Sequence, residues 1–176
     1  MPKVLDEEPG FAPAVAALDR QRSVDRVTFD IASAFAAMIL AQARSPLLAI
    51  VFTHALTGVA AARRLGHQVG QETAMRLVAH AWQFGCALYA AYASEATERD
   101  DAPNSSARSG ETGSPIRGVA RRQSERLRSL ADSAVSHGDE HVIKLTETCL
   151  DFFAATGEQL FLDVAVSAAE VIPGKP

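Results

Sequence analysis

Five histidines and one isolated lysine are the side chains of this 176-residue sequence whose placement raises the question of chemistry. His54 shares a helical face with Leu47, Ile50, Val51, Gly58 and Ala61, and His80 shares one with Leu77, Phe84 and Leu88, so both are expected to point inward. His67 and His137 stand at breaks beside glycine and are expected to face water. His141 opens a helix and has Lys144 three residues on, which projects both from one face of the string Asp139-Glu140-His141-Val142-Ile143-Lys144-Leu145. Neutral imidazoles are metal ligands and proton carriers near neutral pH. A lone histidine on an apolar face is nevertheless more often a hydrogen-bonded core residue, and a lysine beside an apolar stripe usually snorkels. Spacing alone therefore leaves two readings open: a metal or catalytic site drawing on His54, His80, His141 and Lys144, or structural histidines.

Several other chemistries are removed by what the sequence lacks. A ferritin-like di-metal bundle needs Glu-x-x-His pairs, and no histidine here has a glutamate three positions before it. The HExxH, GxGxxG, GxxxxGK[ST] and GxSxG patterns are absent. Cys86 and Cys149 lie in apolar helical stretches without CxxC spacing and read as small core residues of a reducing compartment. The basic run Arg117–Arg128 has no interleaved aromatics and includes a glutamate. It reads as a solvated helix face, so no nucleic-acid partner is expected.

The elements that must position these side chains are helices. The chain holds 33 alanines against 8 phenylalanines, 2 tyrosines and 1 tryptophan, and alanine is the best helix former while strands favour aromatic and β-branched residues. With 48% apolar residues the chain can bury a core, and a net charge of −4 disfavours phosphate-backbone binding. The reading is an all-α, antiparallel-type helical bundle forming one domain over residues 1–176. The acidic N-terminus has no signal-peptide core, and the apolar stretches Ile31–Ala43 and Ser45–Ala62 read as buried helices. A cytoplasmic protein without a membrane partner is expected.

Along the chain the spacing predicts helices over Pro13–Gln21, Val24–Ala43, Pro46–Leu65, Val69–Glu95 and Pro115–Ser136, then a long one from Asp139 to Ile172 that Gly157 interrupts. Ser45 is the expected N-cap of the third, with Pro46 at its first position and Gly66 as its stop. Thr97–Ser114, TERDDAPNSSARSGETGS, offers nothing to a core and reads as a flexible, disordered loop within the domain. Pro173–Pro176 reads as a frayed end.

Two segments carry a family resemblance. Ser45-Pro46-Leu47-Leu48 with Thr53-His54-Ala55-Leu56-Thr57-Gly58, and His141-Val142-Ile143-Lys144-Leu145-Thr146-Glu147, resemble the questin oxidase-like family, α-helical proteins related to fungal enzymes that oxidatively open anthraquinone rings. The His-x-x-Lys helix is the more specific match, and the likeness spans roughly Ser45–Ala169. The resemblance implies a mononuclear non-heme iron site held by histidines and by a lysine carboxylated on its amine. Carried over, it makes His141 and Lys144 ligands, with His54 and then His80 completing the set. A buried lysine has a lowered pKa, and its neutral amine can take up carbon dioxide to become an anionic oxygen ligand. Imidazoles with one oxygen anion suit iron and leave positions for dioxygen or substrate.

The expected activity is then metal-dependent oxidation, including ring opening, of an aromatic polyketide-type substrate in a pocket lined by Leu77, Phe84 and Phe152. The stretch corresponds mainly to the C-terminal half of family members, and a ligand histidine from the other half has no counterpart before residue 54. The missing half would come from a homodimer or a partner subunit. From a different class stands a non-catalytic helical binding or assembly module, or a degenerate half-length relative of the family, with structural histidines.

Overall fold

The computed structural model describes residues 5, 8, 10–97 and 116–175. Among them are seven helices and no strand: α1 (Phe11–Ala16), α2 (Val24–Gln42), α3 (Pro46–Gly66), α4 (Gln71–Thr97), α5 (Ile116–His137), α6 (Glu140–Thr156) and α7 (Gln159–Val171). The expected flexible loop falls, apart from Thr97 at the end of α4, outside the described residues.

Local chemistry sets the boundaries. Ser45 is extended and its hydroxyl accepts from the Leu48 amide at 3.3 Å, while Pro46 at the first helical position needs no amide partner. Asp139 caps α6 by accepting from the His141 amide at 2.8 Å. Gly157 adopts φ +74, a left-handed conformation that suits glycine, and its amide bonds Phe153 O. That turn divides the expected long closing helix into α6 and α7. The chain end is held too: the Lys175 amide donates to His137 O at 3.0 Å, and His137 Nε2 lies 2.9 Å from Ile172 O. His137 is thus half-buried under the C-terminal segment instead of facing water, and the end as far as Lys175 is docked, not frayed.

Helices α2, α3, α6 and α7 enclose the core, where Phe52, Leu56, Leu145, Phe152 and Phe161 are fully buried. Helix α4 packs most extensively on α3 and also on α2, α5 covers α6 and α7, and α1 rests on α4. Short connections make sequence neighbours antiparallel. Non-sequential pairs can run the other way, as α3 and α6 do. Along the α3–α6 seam His54 meets His141, and further toward both C-termini Arg64 meets Glu147 and Asp151, so these two helices are parallel.

Helix α3 is long and apolar enough to cross a membrane by length and composition, and half of its most apolar window is buried inside the bundle. Its composition explains one reversal. Because α3 and α4 carry apolar residues all round, periodicity does not mark which side faces the core. The buried side of α3 is that of Leu48, Phe52, Leu56 and Val59. The side of Leu47 and His54 looks outward, as does that of His80 and Phe84 on α4.

Candidate functional site: a braced histidine pair on the α3–α6 seam

His54 and His141 come together. Their ring centroids are 5.5 Å apart and their planes meet at 89°, edge to face. Two imidazoles on one tetrahedral cation, each bonded at about 2.0–2.1 Å, place their ring centres roughly 5 Å apart, and edge-to-face ring packing spans about 4.5–7 Å, so the spacing is compatible with either arrangement. Asp139 braces one of them: its Oδ1 accepts from the His141 amide at 2.8 Å and stands 3.1 Å from His141 Nδ1. The carboxylate thereby fixes the ring and directs Nε2 away from itself, the arrangement that commonly supports a metal-bound histidine. The ring of His54 makes no hydrogen bond among the described residues.

The electrostatics fit neutral imidazole at His54. Partial burial first, and then the neighbouring His141 and Lys144, hold it below the ordinary histidine range, against an opposing pull from Glu140. Asp139 is also lowered: burial pushes its carboxyl up, but the His141 amide and ring and the Val142 amide outweigh that.

Lys144 does not complete the set as expected. Its side chain is 60% exposed and its Nζ donates to Glu140 at 2.8 Å, an ion pair along the outer face of α6. The reason is angular. Three residues turn a helix by about 300°, so with His141 at the edge of the stripe formed by Val142, Leu145 and Cys149, Lys144 falls outside it. The buried setting expected of a carboxylated lysine is absent here.

His80 stands apart. Gly66 lies against Ala74 and Gly58 against Phe84, which sets the antiparallel register of α3 and α4. In that register His80 is level with Ala61, two turns or about 10 Å along the axis from His54. It is exposed, not inward-facing. The residues expected to line a substrate pocket are also dispersed. Phe152 is 1% exposed in the core, stacked on Phe161 at 5.2 Å, while Phe84 is 49% exposed on the outer face of α4. Among the described residues no group of three or more His, Cys, Asp or Glu converges as a metal site. Of the four residues expected to hold a metal, the fold brings the His54 and His141 rings together, turns Lys144 outward beside them and places His80 apart.

Two contributors are not evident from spacing. Asp139 is legible as a helix cap, and its position two residues before His141 is the only sign of its second role. Arg64 pins the far end of the seam, 2.8 Å from Glu147 Oε1 and 2.6 Å from Asp151 Oδ2. Both cysteines are buried and free, as read, and burial pushes the Cys86 thiol up to about 11 and the Cys149 thiol to about 12. They are inert core side chains.

No family model, curated protein or solved structure matches the chain.

Proposed function

We propose that the α3–α6 seam binds a divalent transition metal through His54 and His141, with Asp139 as the orienting carboxylate, in a questin oxidase-like oxidoreductase acting on an aromatic polyketide-type substrate. The observation that carries this reading is the edge-to-face pair at 5.5 Å with one ring braced by Asp139. The lowered pKa of His54 supports it, because a ligating imidazole must be neutral. Iron bound there would supply one-electron redox chemistry and a place for dioxygen. The chain's own residues would orient the ligands and offer an apolar approach: Leu47 on α3 and Phe84 on α4 lie on the outward side that carries His54. Two protein ligands leave the remaining positions to water, substrate, or a second copy or partner subunit lying on that side.

The test is elemental mass spectrometry of the purified protein, followed by Co(II) titration of the parent, His54→Ala and His141→Ala. A near-stoichiometric metal lost in both variants supports the site. Unchanged Co(II) affinity in either variant overturns it.

A second reading is favoured by the outward Lys144–Glu140 ion pair: a non-catalytic binding module, in which the histidine pair is a packing contact of the seam. Under it both alanine variants bind Co(II) as the parent does.

A further inference from the structure

A second candidate site lies on the other side of α4. Trp82, Cys86, Tyr89 and Ala90 fall on the helix face opposite His80, Phe84 and Leu88, and with α1 and α2 they enclose a cavity of about 550 Å³. That volume lies within the range of small-molecule sites, and the cavity belongs to no part of the histidine pair.

The walls are built before any ligand arrives. Phe35 is buried and stacks on Trp82 with centroids 5.4 Å apart and planes 19° from parallel. The Trp82 indole nitrogen donates to Ala14 O at 3.0 Å, which fixes the ring against α1. Gly85 lets Phe35 lie against the α4 backbone, since a Cβ there would sit 2.0 Å from the ring. Phe11 and Tyr89 complete four aromatic side chains around one space, with Met38 as an adaptable apolar filler.

The charge pattern selects the occupant. Among the described residues, Glu8 is the only charged one on the wall, and no lysine, arginine or histidine lines the cavity. A smaller hollow sharing Ala34 and Trp82 is charge-balanced: it carries Asp19 and Asp30, and Asp30 pairs with both Arg22 and Arg26, so the preference for a cation rests on Glu8 and the aromatic walls. Aromatic faces present negative electrostatic potential and attract cations, most strongly where water is excluded. A neutral aromatic would use the walls but not Glu8, and an anion would be opposed by both.

We propose that this cavity is a binding site for a lipophilic organic monocation, with aromatic or alkyl groups against Phe11, Phe35, Trp82 and Tyr89 and its charge toward Glu8. The site is independent of the metal reading, and its failure would leave that reading untouched.

Trp82 is the chain's one tryptophan, so intrinsic fluorescence reports on this wall directly. The experiment titrates the full chain with tetraphenylphosphonium and with tetraphenylborate, which share shape and differ in sign of charge. Saturable quenching by the phosphonium is expected, with the borate at least about tenfold weaker. Glu8→Gln should weaken the phosphonium several-fold without weakening the borate. Ala34→Leu, which fills the wall from α2, should weaken the phosphonium about tenfold or more while circular dichroism stays that of the parent. Absence of saturable quenching, or indifference to Ala34→Leu in a folded protein, overturns the site. Equal affinity for the two ions, or indifference to Glu8→Gln, overturns the cationic occupant.

Discussion

His54 and His141 belong to helices that run parallel, and each ring presents its edge or face to the other at 5.5 Å. The contact is local in space and remote in sequence, and one carboxylate, Asp139, braces the His141 ring.

That bracing is measurable. Asp139→Asn keeps a side-chain oxygen for the cap but loses the charge facing His141 Nδ1. Co(II) affinity is expected to fall by about 10- to 100-fold, the usual effect of removing an outer-shell carboxylate. Calorimetric titration of parent and variant checks it.

Lys144→Arg distinguishes a carboxylated ligand from an ion pair. Arginine cannot be neutralised in this range, yet it can still pair with Glu140. With Lys144 on the outer face, metal affinity should stay within about threefold of the parent, and added bicarbonate should change neither protein. A loss of metal in the variant would assign the lysine to the site.

The Asp139 cap also predicts an acid dependence. Its folded pKa is depressed, so its stabilisation is present above the unfolded carboxylate value, about 3.9, and is lost as pH falls through the folded value. Asp139→Ala should lower stability by about 0.5–2 kcal/mol at pH 7. Urea unfolding across pH 7 to 2 should show the difference shrinking at the acid end.

Gly157→Ala isolates a backbone cost. No atom stands within 4 Å of the added methyl group, but φ is +74. The expected loss is about 1–2 kcal/mol, with Gly157→Asn losing less, by thermal unfolding.

Gly85→Ala should reverse a general rule. Replacing a mid-helix glycine by alanine ordinarily stabilises by about 0.5–1 kcal/mol. Here the new Cβ would meet Phe35 at 2.0 Å, so Phe35 must leave its stack on Trp82. A lower Tm with shifted tryptophan emission is the expected result, and a raised Tm would refute the packing.

The helices were legible because alanine content and cap residues act locally. Ser45-Pro46, Gly66 and Asp139 mark ends whatever the rest of the chain does. Orientation was not legible at His54 and His80, where helices apolar on both sides give the moment no preferred direction. Lys144 was misplaced for a related reason: i,i+3 spacing guarantees proximity to His141 but not a shared degree of burial. The pairing of His54 with His141 depended on the parallel seam, which no local pattern encodes. The cavity behind Trp82 was missed because its aromatic residues come from three helices, with Glu8 preceding α1.

The parallel seam carries a kinetic consequence. Helices joined by a tight turn close within a short loop, but Arg64 reaches Asp151 across 87 residues, and His54 and His141 are separated by the same distance in sequence. Contacts of such separation are entropically late to close. The α2–α3 and α6–α7 hairpins can therefore assemble while the histidines are still apart. Bound metal would then slow unfolding far more than it speeds folding, because it grips a contact absent from the early stages of assembly.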